Sequence, residues 1–423
     1  MSLPEMPATE RGLPGKKIDI GFEGTVVLFG AAVIVLAAVL WSTRGPSTEK
    51  TDFSVTYVGA CMVHAGQGSI LYDLGEQRKV RDSLFAHPNP LFYEHPPFEA
   101  LLLSPLAALP YRTAYLLWGL LNALVWLVLP YVVRPYAPVP RDALGYFALW
   151  FLFAPLGVAL YQGQSSLLLL LLYARTFVSL KRGSDVTAGL CLGLGLFKFQ
   201  FVLPFVLIFL FRRKWRFLAG FLLSATVLGF LSLIAVGWQG ALSYIQLLLK
   251  IGSNPGSVSY GSATDVGTLQ GLIYAILRHR VSAGVVNSIV AAISVFLVLF
   301  TAWCWRQEDR RTADRSFDLM FAGALAVSLV TGFHMYTHDF SPLMLALLLV
   351  AAHFPGRDKL ALRLALGTTL ILFWIPPLYF ALVSWHSLYL MSPVLIVFGV
   401  SALTLARSDA KGRLVGGARV LAQ

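Results

Sequence analysis

The chain has 423 residues and a net charge of +12; 57% of it is hydrophobic and only 13% charged, about half the charged share of an ordinary soluble domain. With a mean hydropathy of +0.71, this excludes a soluble enzyme and specifies an integral membrane protein. The positive charge collects in short segments between apolar runs, the pattern of membrane topology, so nucleic acid is not an expected partner.

Residues 1–24 read as a cytoplasmic tail. The run "TVVLFGAAVIVLAAVLW" (25–41) follows polar residues and precedes no small-residue cleavage pattern, so it is expected to be a retained helix and not a signal peptide. Spans long enough for a bilayer of roughly 30 Å are expected at 25–43, 113–133, 144–160, 165–180, 217–236, 283–305, 316–332, 339–353, 362–383 and 388–406. Basic clusters such as "KRGSD" (181–185) and "RRKWR" (212–216) are assigned to the cytoplasmic side. A single crossing at 186–211 would put those two on opposite sides. That segment is therefore expected to be a broken hairpin with Lys198 and Gln200 at its apex, since non-helical backbone at such depth is tolerated where protein or a watery cavity covers it. The expectation is an all-α polytopic membrane protein: one integral domain, 25–406, of about twelve segments, then a cytoplasmic tail, 407–423.

The outer side then collects the long loops 44–112 and 237–282, the turn "YQGQ" (161–164), "FHMYTHDF" (333–340) and "VSWHS" (383–387). Residues 98–110 and 238–252 read as helices lying in the interface. Cys61, Cys191 and Cys304 are odd in number and scattered, which fits neither a disulfide framework nor a metal cluster. His334 and His338 have an i, i+4 spacing without the metalloprotease glutamate and across a turn, so no metal site is expected. The chain carries no glycine-rich phosphate fingerprint and no Asp-x-Asp pair for a metal and diphosphate.

"TDFSVTYVGACMVHAGQGSILYD" (51–73), "YEHPPFEALLLSPLAALPYRTAYLLWGLLN" (93–122), "YQGQSSLLLLLL" (161–172) and "AGLCLGLGLFKFQFVLPF" (188–205) follow one another in an order that resembles glycosyltransferase family 87. The resemblance covers roughly 45–350 and implies the GT-C membrane fold. It also implies metal-independent, inverting transfer of a sugar, mannose in the family, from a polyprenyl-phosphate donor to a glycolipid or glycan acceptor. The active site would lie on the periplasmic or extracellular face of the cell (inner) membrane, with no cofactor.

By that analogy Asp52 is the general base, helped by partial dehydration from the flanking Phe53 and Tyr57; without it, Asp52 reads as a helix-end or loop charge. Tyr72 and Asp73 match a family Gly-x-x-x-Tyr-Asp element and are assigned to sugar or acceptor, or to a plain turn. Tyr93 and His95 stand in "YEHPP", which departs from the family's Tyr-Pro-Pro by Glu94-His95; both are assigned to sugar or acceptor. Gln162 and Gln164 read either as hydrogen-bonding groups, for sugar and phosphate respectively, or as caps of a turn. Lys198 is an intramembrane cation with no nearby acid in sequence, and a lipid phosphate is its expected partner; snorkelling is the alternative. His334 and His338 are assigned to the same phosphate, His338 first because the adjacent Asp339 favours a protonated imidazole. Asp265 is assigned to the acceptor or to a helix cap. The rival readings are a secondary transporter, which shares broken helices and an isolated lysine, and a flippase or ligase for polyprenyl-linked glycans.

Overall fold

Proline and short polar caps decide where most helices around the site begin. In a computed structural model that describes Gly30 and residues 46–420, apart from 141, 254–262, 279, 308–313 and 354–359, the described residues form helices and no strand. The tail 1–24 and the expected span 25–43 lie outside the described residues, Gly30 excepted. The chain enters through α1 (Asp52–His64), α2 (Leu74–Leu84), started by the Asp73 carboxylate, and α3 (Pro97–Leu103), with proline in its first turn. Then come α4 (Tyr111–Val133), α5 (Ala143–Leu152), α6 (Ala154–Gln162), α7 (Ser166–Lys181), α8 (Asp185–Gly193), α9 (Phe199–Phe211) and α10 (Trp215–Ser253). The remainder is α11 (Leu269–Leu277), α12 (Ala283–Cys304), α13 (Asp314–Val330), α14 (Leu343–Ala352), α15 (Leu360–Trp374), α16 (Pro376–Ser384) and α17 (Met391–Val420).

The segment between α7 and α10 reverses direction. Gly189 of α8 lies against the backbone of Phe217, while the Phe209 ring of α9 stacks on the Phe217 ring at 4.2 Å. Residues 189 and 209 therefore reach the same neighbour, which a straight helix would forbid. At the bend, a Cβ on Gly195 would fall 3.2 Å from Val202, although residues seven apart in a continuous helix are separated by about 10.5 Å along its axis. The reversal is made by the 3-10 turn Leu194–Lys198, whose last residue leaves helical geometry at φ −121°, ψ 56°. Lys198 is thus carried to a tip between two short apolar helices. α10 in turn is broken at Gly237 (φ 64°, ψ −174°), a conformation that suits glycine, so its second limb is a separate helix over the region expected to lie in the interface.

Five helical runs among the described residues are long and apolar enough to cross a membrane, or seven if the bent pairs α5 with α6 (51°) and α15 with α16 (89°) each count as one span. One of the five, Asp185–Phe211, passes as a continuous run but is the reversing segment just described. The expected figure of about twelve is not reached by length. The helices found at 165–180, 316–332 and 339–353 have only 16, 17 and 10 residues, and α17 continues past the expected span end at 406.

Lipid tails are as apolar as leucine, so helix association here rests on close packing and on interhelical hydrogen bonds. Phe177, Phe205, Phe317, Phe321 and Trp305 interlock α7, α9 and α13. Tyr173 donates to the Phe201 carbonyl (2.8 Å) and Trp374 to that of Leu149 (2.8 Å). A second core, under the first loops, packs Phe53, Tyr57, Tyr93, Tyr115 and Trp118.

Candidate active site

Asp52 is the first residue of α1, and the backbone before it is pinned. Asn89 donates to the carbonyls of Lys50 (3.0 Å) and Thr51 (3.3 Å), and Tyr111 donates to Thr48 (2.6 Å). Opposite stands the end of α6, where Gly163 takes a left-handed conformation (φ 64°) that turns the chain toward α7; a Cβ there would lie 2.6 Å from that of Phe53. Trp118 donates to the Gly163 carbonyl (2.7 Å) and Tyr115 to that of Tyr161 (2.6 Å). Gln162 and Gln164 are held on either side of this turn. The Asp52 N–H donates to Gln162 Oε1 (3.2 Å), and Gln164 Nε2 donates to Asp52 Oδ2 (2.9 Å).

The tip of the hairpin closes the circuit. Lys198 Nζ donates to Gln164 Oε1 (3.2 Å) and, at 2.6 Å, to Asp339 Oδ1. Asp339 lies in the 3-10 turn Thr337–Phe340 between α13 and α14; it also accepts from Ser166 Oγ (3.3 Å) and the Tyr336 N–H (3.0 Å). His338 bridges the two acids, with Nδ1 3.6 Å from Asp52 and Nε2 3.4 Å from Asp339. One chain of contacts, Asp52–Gln164–Lys198–Asp339–His338, therefore links four separate elements. These groups line a cavity of about 240 Å³, together with Glu94, His95, Gln162, Gln200, His334 and Tyr336.

Charge in the cavity differs from expectation. Burial pushes His338 below its ordinary imidazole value despite Asp339 and Asp52, and drives His334 down to about 3, so both are neutral near pH 7. Burial also opposes charge on Asp339, yet His338 and Lys198 hold that carboxyl well below the usual carboxylate range. His95 goes the other way. Burial works against its charge, but the Glu99 carboxylate, 2.6 Å from Nδ1, raises its pKa. Glu99 is itself buried and accepts from Ser165 Oγ (3.3 Å) through its other oxygen.

Several assignments need correction. Lys198 has an acidic partner after all, 141 residues away in sequence. Phe53 and Tyr57 do not dehydrate Asp52: Phe53 turns into the rings of Tyr111, Tyr115 and Trp118, Tyr57 donates to the Leu109 carbonyl (2.6 Å), and the Asp52 side chain stays 22% exposed. Tyr72, Asp73, Tyr93 and Asp265 are not in the cavity wall. Tyr72 is buried and donates to the His95 carbonyl (2.8 Å), Tyr93 to that of Pro96 (2.9 Å), and Asp73 caps α2. Asp265 is 2.6 Å from His386 Nδ1. Among the described residues no group of three or more His, Cys, Asp or Glu is arranged to hold a metal. Glu99 was missed because its single signal in sequence is an i, i+4 spacing to His95 across a Pro-Pro helix start.

Beside the polar cavity runs an open-sided apolar groove of about 330 Å³, bounded by α3, the reversing segment and both limbs of α10. Pro97, Phe98, Leu228, Tyr244 and Ile245 line it, and Pro96, Phe199 and Leu248 belong to both groove and cavity.

Residues 93–332, more than half of the chain, match the sequence profile of glycosyltransferase family 87. The chain belongs to that family. It is thus a membrane glycosyltransferase, which ranks the transporter and flippase readings below transfer. No curated protein and no solved structure matches it. The family match takes in His95, Glu99, both glutamines and Lys198, whereas Asp52 and the His338–Asp339 pair lie outside it.

Proposed function

We propose that this glycosyltransferase moves a sugar, mannose by family resemblance, from a polyprenyl-phosphate donor to a hydroxyl of a glycolipid or glycan acceptor, on the extracytoplasmic face and within a GT-C fold. The observation that carries the reading is the union of two unlike spaces. A polar cavity with a carboxylate on its wall shares three residues with an apolar groove, as a substrate that is half sugar and half lipid requires.

In the proposed step, the acceptor oxygen attacks the anomeric carbon from the side opposite the phosphate and forms the new glycosidic bond. The bond from that carbon to the phosphate oxygen breaks, and its electron pair leaves with the lipid phosphate. Asp52 takes the acceptor proton. Gln164 orients the Asp52 carboxylate and ties it to Lys198, which faces the developing negative charge on the leaving phosphate; preorganised donors are effective there because they need not reorient during reaction. Asp339 fixes the ammonium, and His338 and His334, being neutral, contribute as hydrogen-bonding groups and not as charges. No metal is required.

The test is transfer in proteoliposomes from radiolabelled polyprenyl-phosphate-mannose to a lipid extract of the host, comparing wild type with Asp52→Asn. Label entering a new glycolipid with wild type alone is the expected result. Equal transfer by both proteins would remove Asp52 from the reaction, and absence of transfer with wild type would overturn the donor.

A further inference from the structure

The groove and the cavity meet at Pro96, Phe199 and Leu248. A lipid phosphate must sit at such a junction, since it joins the apolar tail to the sugar. Two basic side chains flank it directly. His95 precedes Pro96 and Lys198 precedes Phe199, and both line the cavity. The ammonium of Lys198 is already engaged by Asp339 at 2.6 Å and by Gln164. His95 is held differently. Its Nδ1 faces Glu99, which lies behind it outside the cavity wall, so Nε2 is the ring nitrogen on the side away from the acid. Glu99 is anchored by Ser165, the residue that starts α7 immediately after Gln164.

Resting on the donor reading above, we propose that His95 is a second contact for the phosphate of the lipid-linked donor, and that Glu99 is a positioning residue that orients its ring. This gives a function to His95, one of the two residues by which the loop departs from the family pattern. It also supplies the cavity with a second donor, backed by Glu99 and not by Asp339. A carboxylate behind a histidine fixes which nitrogen faces outward, and a charge-assisted hydrogen bond to phosphate is stronger than a neutral one.

The groups that set the ionisation of His95 can be named from every side: Glu99 on α3, Glu94 on its own loop, Lys198 at the hairpin tip, and His334 and His338 on the 331–342 connection. Burial disfavours the cation and Glu99 is the largest favourable influence, the net being a raised pKa. Phosphate binding through His95 therefore persists at low pH and is lost as pH rises through that value. Glu99→Gln removes the support and moves the loss to lower pH.

The experiment compares the binding of a polyprenyl methyl phosphate diester, whose single negative charge, like that of the sugar-linked donor, stays fixed over the range, with that of the uncharged polyprenol to purified full-length protein in detergent, across pH 5 to about 9. Wild type should prefer the phosphate. His95→Gln should weaken that preference roughly tenfold or more and abolish its decline at high pH, while Glu99→Gln should keep the decline but shift it downward. If the wild type prefers the phosphate and both variants match it in affinity and pH profile, the His95–Glu99 role is wrong and the donor reading stands. If the wild type shows no preference, both fall together. Should Glu99→Gln fail to fold, His95→Gln and the wild-type pH profile decide the matter, because a merely structural pair would not make phosphate preference depend on pH.

Discussion

A lysine–aspartate–histidine cluster stands at each end of α7 and α14, and the two clusters differ instructively. At the cavity end, Lys198 meets Asp339 at 2.6 Å with His338 alongside, around the start of α7 and the α13–α14 connection. At the opposite end, Lys181 of α7 meets Asp318 of α13 at 2.6 Å, and His353 after α14 meets the other oxygen of Asp318 at 2.6 Å. The second cluster is closed: Lys181 lies over the rings of Phe177 and Phe317, and none of the three lines a cavity described above. A buried ion pair alone therefore says little about chemistry. What distinguishes the cavity end is the further path from Lys198 through Gln164 to a partly exposed carboxylate, and the space in front of it.

The largest effect should come from the carboxylate that has no counterpart at the closed end. Asp52→Asn keeps the shape of the side chain and removes the base, so transfer should fall by about 10²- to 10⁴-fold with little change in thermal stability. Near-normal transfer by a well-folded Asp52→Asn protein would erase the chemical difference between the two ends.

Next in size is the paired experiment on the lysines. Removing one partner of a buried ion pair leaves the other charge uncompensated and costs about 3–5 kcal/mol where burial is complete. Lys198→Met and Lys181→Met should both lower the unfolding temperature, Lys181→Met by less, because that pair is the less buried of the two. Donor binding should weaken for Lys198→Met alone. If both variants weaken it equally, after correction for the folded fraction, the lysine at the cavity end is only a staple.

This contrast also marks what could be read in the sequence. Lys198 was visible as a cation inside an apolar run between two basic loops, and Asp52, Gln162, Gln164, His334 and His338 were visible as polar groups on connections assigned to one side; the structure brings them to one cavity. The pairing of Lys198 with Asp339 was not visible, because an interaction across 141 residues leaves no local pattern. Nor was the inward turn of Tyr72 and Tyr93. Aromatic residues serve a core and a sugar site equally well, and only the packing of Gly59 against the Tyr93 ring and of Tyr72 on Tyr244 decides which. Helix number suffered similarly, since short helices such as Leu343–Ala352 are as apolar as full spans.

A smaller effect separates the ends by pH. His334 titrates near 3 because burial resists its charge, whereas an unfolded chain binds that proton near the ordinary imidazole value of about 6.5. Between those values the unfolded state holds more protons than the folded one, so stability declines as pH falls through this window. His334→Gln should flatten the decline of unfolding temperature below pH 6.5 or so; an unchanged slope would assign the acid sensitivity to other groups.

The smallest effect tests whether the second core is scaffold or site. Tyr72 donates one hydrogen bond, to the His95 carbonyl, and stacks on Tyr93 at a centroid distance of 6.2 Å. Tyr72→Phe keeps the ring and loses the bond, which is worth about 1 kcal/mol. Because that hydroxyl faces the backbone of His95 and not the cavity, the variant should lose a little stability while the acceptor KM stays within about twofold, the change that roughly 0.4 kcal/mol would produce. A tenfold rise in acceptor KM with unchanged stability would instead return Tyr72 to the sugar. The cavity would then have to extend past His95 into the space now filled by Tyr93 and Tyr244, and the boundary between the reacting end and its supporting core would need to be redrawn.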